Sequence, residues 1–378
     1  MKITDLRLAL VFVPFPGPVY PAWRAGGVQE GTLATVLEVD TDAGITGVGT
    51  AFAHGRREMI ETVEHMVKPY LIGKDPFAVE RHIHLLRTAG MFGAKPWLVD
   101  IALWDIIGKA AGLPLYRLWG GYSDRVKAYA STAEVRPPAR RADDIRRYRD
   151  NGFRAVKLRL HHDDPGDDLR VVEAAVAAGG GEVEIMADAN QGTILPYHTM
   201  GPRWSYETAR FMARELGQLG VVWLEEPLPR FDFDGIARLS AEVDIPIAGG
   251  EANAGLHEFR WLIEKRCYDI LQPDATLSEG LFQLRKVAGM AEAHGLRFVP
   301  HTWADGIGMA ANLQLAASVP NCGYLEFPYD PPHFTMEAFQ ALLVEPIRVE
   351  ADGCVRVPEA PGLGVELNRE AVERFRVG

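Results

Sequence analysis

From about Val126 the chain alternates short apolar runs with amphipathic segments, and this rhythm limits its possible folds more than any other feature. VKAYAST is followed by a helical pattern over residues 140–151, RAVKLRL by 167–178, and VEIMADA by 205–219. VVWLEE precedes 233–242, IPIAGGE precedes 256–265, YDILQPD precedes 279–294, and LRFVPH precedes 306–317; CGYLEF closes the series. Strands separated by helix-length connections pair in parallel, because an antiparallel pair needs only a hairpin. Eight strands with seven intervening helices over residues 126–345 predict a TIM-type barrel in a modified (β/α)7β form. A doubly wound sheet would gather its polar residues at one switch point. Here they recur at strand ends all the way round the series.

Residues 1–125 read differently. LATVLEV and TGVGTAF are short strands around the turn Asp42-Ala43-Gly44, and helical periodicity then covers 57–71, 76–87 and 96–111. Strands followed by helices predict a small α+β domain. Residues 346–378 alternate weakly and are expected to fold back on it. Composition excludes some partners: 40 Lys plus Arg against 51 Asp plus Glu leave a formal net charge of -11, which argues against nucleic acid. No apolar run reaches the ~18–20 residues of a membrane helix, so no membrane is expected. The start, MKITDLRLALVF, lacks the pattern of a signal peptide. Cys267, Cys322 and Cys354 form no CxxC pair or even framework, and the cytoplasm is the expected location.

In a barrel, side chains at the C-terminal ends of the strands converge on one mouth. Strand two ends Lys157-Leu158-Arg159, whose two cations share a face because they are two residues apart. Asp188, Glu225 and Glu251 end strands three, four and five, and three carboxylates in successive units suit a hard divalent cation. Zn2+ is disfavoured, since no Cys or His shares the group. Asp274 and His301 end strands six and seven, and Glu326 lies on strand eight. A carboxylate beside an imidazole fixes its tautomer and raises its basicity, as an acid/base catalyst requires. Together these residues describe proton abstraction next to a carboxylate, with Mg2+ and a cation stabilising the developing enediolate.

The motifs VDIALWDIIGKAAGLPLYRLWGG, GFRAVKLRL, IMADANQ, WLEEPL, IAGGE, ILQPDAT, VPHTW and YLEFP, in that order, resemble the mandelate racemase and muconate lactonizing enzyme branch of the enolase superfamily. The resemblance covers essentially the whole chain. It implies one Mg2+ held by Asp188, Glu225 and Glu251, an Asp274–His301 dyad, and Glu326 bonded to the substrate carboxylate or enediolate. It also implies that the first domain caps the barrel mouth with two loops, near 15–27 and 51–57, and that the protein is a homo-oligomer, dimer to octamer.

Two departures refine this picture. The family usually carries Lys-x-Lys, with the second Lys as a base; here Arg159 takes that place, and arginine stays protonated. A reaction run mainly by His301 follows, with Lys157 and Arg159 as electrophilic clamps. In addition, Asp188 lies 37 residues before Glu225, whereas Glu225 lies 26 before Glu251. The excess falls around 193–204, and long loops at a barrel mouth are usually functional. His54, Arg56, Asn190, Tyr197, His198 and Trp303 are the candidate substrate contacts, with Arg57, Gln191, Arg203 and Asp305 nearby. Many polar groups suit a polyhydroxylated anion. The expected activity is Mg2+-dependent dehydration of an aldonate or aldarate to a 2-keto-3-deoxy acid. An epimerase, racemase or lactone cycloisomerase on the same scaffold is the alternative. More remote are a Schiff-base aldolase using Lys157 and a non-catalytic sugar-acid-binding protein.

Overall fold

The structure, a computed structural model, describes residues 1–24, 26–52, 57–192 and 202–377. Three antiparallel strands open the chain: β1 (Ile3–Val19), β2 (Gln29–Thr41) and β3 (Thr46–Phe52), in the order β1-β2-β3. The sequence reading missed β1, whose Pro14, Pro16 and Pro18 argue against a strand. It is an edge strand whose one sheet neighbour is β2, and along Pro14–Pro18 a missing N–H on the open side leaves no partner unsatisfied. A helical stretch then runs as α1 (Glu58–Thr62), a π-helical turn over Val63–Val67 and α2 (Lys68–Leu71). After it come α3 (Val79–Phe92), α4 (Trp97–Ala111) and the short α5 (Leu115–Leu118). Gly112 ends α4 in the left-handed conformation, as its C-cap position predicts.

Eight parallel strands follow, alternating with seven helices. They are β4 (Arg125–Ser131), α6 (Pro138–Asp150), β5 (Ala155–Arg159), α7 (Pro165–Gly179), β6 (Glu184–Asp188), α8 (Tyr206–Gln218), β7 (Leu224–Glu225) and α9 (Phe233–Glu242). The series continues with β8 (Ile247–Gly249), α10 (Gly255–Glu264), β9 (Ile270–Leu271), α11 (Gly280–Ala293), β10 (Arg297–Phe298), α12 (Gly306–Ala317) and β11 (Tyr324–Pro328). The sheet runs β10-β9-β8-β7-β6-β5-β4-β11 and curls so that the Phe298 N–H donates to Asn321 O at 3.0 Å, just before β11. Tyr129, Ala155, Met186, Trp223, Ala248, Ile270 and Val299, one from each of seven successive units, form a buried layer inside the curl, with Tyr324 packed against it. The interior is therefore filled with side chains, and the polar residues are confined to the strand ends. The chain finishes with α13 (Met336–Phe339), β12 (Cys354–Arg356) and α14 (Arg369–Phe375). β12 pairs antiparallel with β4, and the Val377 N–H donates to Leu10 O on β1 at 2.9 Å.

Buried acids join the first layer to the curled sheet. Asp100 on α4 accepts from Phe282 N at 3.3 Å and so caps the start of α11. Asp105 accepts from Val48 N and Leu363 N, each at 2.9 Å, tying α4 to β3 and to the C-terminal segment. Thr50 on β3 donates to Asp305 Oδ2 at 2.5 Å. Among the described residues, no helix is long and apolar enough to cross a membrane.

Candidate active site

Sheet register builds the floor of the site. Arg159 is level with Asp188, and Asp188 with Glu225, so the ends of β5, β6 and β7 present a cation and two acids in one row. Lys157, two residues earlier on β5, is fully buried. Its Nζ lies 2.6 Å from Glu225 Oε1, 2.8 Å from Glu326 Oε1 and 3.6 Å from Asp188 Oδ2. Burial opposes its charge, but Glu225 and Glu326 hold the ammonium well above the usual lysine range. Arg159 donates to Asp188, to Thr132 O at 2.7 Å and to Ser131 Oγ at 3.1 Å. Its guanidinium also stands 4.9 Å from the Trp23 ring and 5.2 Å from the Trp303 ring. Trp23 precedes β2, so the N-terminal layer reaches the mouth.

The dyad residues lie three positions beyond β9 and β10. His301 Nδ1 is 2.9 Å from Asp274 Oδ2, and its Nε2 is 3.4 Å from Glu251 Oε2. The other Asp274 oxygen accepts from Thr276 N and Thr276 Oγ1, each at 2.8 Å, and from Asn312 Nδ2 at 3.2 Å. With Asp274 so fixed as an acceptor, His301 carries a proton on Nδ1 and presents Nε2 to the mouth. Burial by itself would lower the imidazole, but Glu251, Glu326 and the bond to Asp274 raise it to about 10.

Glu326 collects donors from both sides: Ser131 Oγ at 2.7 Å, Thr302 N at 2.8 Å, Trp303 Nε1 at 2.9 Å and the Lys157 ammonium. Burial would raise its carboxyl, but Lys157, His301 and Arg159 hold it at about 2. Trp303 is accordingly a brace for Glu326 and a wall above Arg159. Its other face stacks on Phe334 at 5.1 Å. Asn190, in a left-handed conformation (φ 48), donates its N–H and its amide to Asp188.

Two residues read as mouth groups have other roles. Gln191 donates to Ala189 O and Pro202 O and accepts from Trp204 N, bracing the end of the long loop. Asp305 accepts from Ile307 N and Gly308 N as the N-cap of α12. Both follow strand ends, but backbone N–H and C=O groups outcompete a ligand for them. His54, Arg56, Tyr197 and His198 lie outside the described residues. Sequence reasoning missed Ser131, although VKAYAST is a strand end like the others, and Gln272, which donates to Glu225 Oε2 at 2.8 Å. It also missed Glu226, a buried acid directly after Glu225.

Among the described residues, no three His, Cys, Asp or Glu side chains stand together as a ready cation cage. The cause is visible in the hydrogen bonds. Lys157 and Gln272 draw Glu225, Arg159 draws Asp188, and Glu251 turns to His301. The donor set nevertheless fits a hard cation. Among the described residues, the cations paired with Asp188, Glu225, Glu251, Asp274 and Glu326 are Lys157, Arg159 and His301, and both oxygens of Glu226 are buried without a hydrogen-bond partner. Burial and the neighbouring Asp188 and Glu326, against the pull of Lys157, raise Glu225; a divalent ion relieves that crowding.

Known proteins share this design. Residues 11–120 match the mandelate racemase / muconate lactonizing enzyme N-terminal domain, and residues 140–371 match the enolase C-terminal domain-like model. D-galactarolactone cycloisomerase of Agrobacterium fabrum is 34% identical over 100% of this chain and 99% of its own. L-talarate/galactarate dehydratase of Salmonella typhimurium is 30% identical over 98% of this chain and 90% of its own. A racemase from Streptomyces coelicolor, solved with bound magnesium, superimposes with a TM-score of 0.86 at 28% identity, covering 99% of this chain and 100% of that one. With both halves of the two-domain pattern matched in order, the chain belongs to the mandelate racemase/muconate lactonizing enzyme branch of the enolase superfamily.

Proposed function

We propose that the protein dehydrates an acid sugar, an aldonate or aldarate, to a 2-keto-3-deoxy acid. The observation that carries this reading is the His301–Asp274 pair, whose Nε2 faces Glu251 while Lys157 and Arg159 are bound by carboxylates. Among the described residues, His301 is then the group placed to exchange a proton. The acids around His301 raise its imidazole, and a cation held by them would withdraw that charge and free Nε2; Nε2 then takes the α-proton of the substrate, and Asp274 stabilises the imidazolium through Nδ1–H. The same proton passes to the β-hydroxyl, which leaves as water, and the enol tautomerises to the ketone. Lys157 and Arg159 supply positive charge at the enediolate oxygens.

Asp188, Glu225 and Glu251 are the residues that would hold Mg2+, which when bound lends further charge to that carboxylate. Bound magnesium in the Streptomyces relative supports this cofactor. The Agrobacterium and Salmonella relatives are named for a sugar-acid lactone and for sugar acids, which supports the substrate class. Trp23, standing over Arg159, supports a capping role for the N-terminal layer.

A lactone cycloisomerase is the second reading, favoured by the 34% identity to the Agrobacterium enzyme. Both readings begin with the same proton abstraction. The test is incubation with Mg2+ and a library of sugar acids and lactones, scored for 2-keto acid. Keto-acid formation from an open-chain acid is the expected result. Ring opening, or α-proton exchange in D2O without elimination, would overturn the dehydratase reading.

A further inference from the structure

The acid that follows Glu225 has no counterpart in the reading of the strand ends. Successive residues of a strand face opposite sides, so with Glu225 turned to Lys157 its neighbour should point away from the mouth. The backbone breaks that alternation. Glu226 adopts φ 43, a left-handed conformation that is strained for a non-glycine residue. Such strain concentrates at functional sites. The turn sets the carboxylate against Gly192, where an added Cβ would lie only 2.0 Å from Glu226 Oε1. A side chain at 192 would fill the space the carboxylate occupies.

The surroundings of Glu226 are acidic. The charge acting on it most strongly is Glu251, followed by Asp188 and Glu225, with His301 the opposing cation. Glu226 is 1% exposed, and among the described residues neither oxygen accepts a hydrogen bond. An ionised carboxylate left this way is costly, because a buried charge without a partner gives up its hydration for nothing in return. Gln272, which donates to Glu225 at 2.8 Å, likewise leaves its Oε1 buried without a donor among the described residues. Acceptors concentrated in this way, without donors, describe the lining of a cation site more than a packed interior.

We infer that Glu226 is a fourth carboxylate of the cation centre, sharing the ion with Asp188, Glu225 and Glu251. The inference rests on the metal-dependent reading above and extends it to a residue outside the expected triad. Mg2+ is six-coordinate and prefers oxygen. Three protein carboxylates and a substrate carboxylate leave it room for a further oxygen, taken by Glu226 directly or through water bound to the ion.

The test is calorimetric titration of Mg2+ into the metal-free protein, comparing wild type with Glu226→Gln, an isosteric change that removes the charge. Thermal melts with and without Mg2+ accompany it. Glu226→Gln is expected to bind Mg2+ at least tenfold more weakly, to melt without metal no lower than wild type, and to gain less on adding the ion. A purely structural Glu226 would give the reverse, a lower metal-free melting temperature with the Mg2+ affinity kept. Affinity within threefold of wild type overturns the inference while leaving the metal-dependent reading intact. If wild type itself binds no Mg2+, that reading falls and the inference with it.

Discussion

At the scale of single residues, function rests on how a few charges are paired. His301 has a carboxylate at each ring nitrogen, Asp274 at 2.9 Å and Glu251 at 3.4 Å. Replacing it with Asn preserves a hydrogen-bonding side chain but removes the proton carrier. General acid–base catalysis contributes about 10²–10⁴-fold, so His301→Asn should lower kcat by at least that much and abolish α-proton exchange in D2O. KM should change little, since the cations remain. Retention of exchange would assign the base elsewhere, with Lys157 the first candidate. Most of these residues were legible because a barrel sends every strand end to one mouth: Lys157, Arg159, Asp188, Glu225, Asp274, His301 and Glu326 all followed from counting along strands. Glu226 was not legible, because alternation assigns it to the opposite face and only a left-handed φ brings it back. Gln191 and Asp305 were misread for the converse reason. They are polar and adjacent to strand ends, but nearby backbone groups claim them.

At the scale of elements, the barrel helices were legible to within two residues at each end, with Phe233–Glu242 and Gly306–Ala317 reproduced at both ends, whereas the helix expected over 76–87 runs from Val79 to Phe92. The contacts that orient the N-terminal layer on the barrel were not, because a buried acid on one element capping another leaves no local signal. Asp100 is the clearest case. It lies on α4, accepts from the first turn of α11, and is so close to Gly280 (φ +80) that a Cβ there would meet its Oδ2 at 2.5 Å. Burial raises its carboxyl to about 7, against the pull of the Phe282 and Leu281 amides. An acid whose folded pKa exceeds its unfolded value stabilises the fold most below the unfolded pKa, near 4, and loses that contribution as pH rises through the folded value. Asp100→Asn can still accept from the α11 amides but cannot ionise. The variant should therefore gain on wild type between pH 5 and pH 8, by roughly 1–3 kcal/mol at about 1.4 kcal/mol per pKa unit. Urea unfolding at the two pH values measures this. Parallel stability curves would mean that Asp100 ionises freely in the folded protein and that the helix cap, not burial, controls it.

At the scale of the whole molecule, an acidic protein has to collect an acidic substrate. The chain carries a formal charge of -11, so its outer surface opposes the approach of a sugar acid. The cations proposed to receive the substrate are at most 5% exposed, Lys157 fully buried and Arg159 nearly so, and Trp23 and Trp303 flank Arg159. Salt screens these two fields unequally. The Debye length is about 10 Å at 0.1 M, so surface repulsion fades with added salt while interactions between groups in contact inside the mouth persist. The sign follows: raising NaCl from 50 to 300 mM at saturating Mg2+ should leave kcat/KM within about threefold, and any drift should be upward as surface repulsion is removed. An enzyme drawing its anion along an exposed basic patch would instead lose activity steeply with salt. A steep loss here would place the attracting charge on the exposed surface and take the source of substrate capture away from the barrel floor.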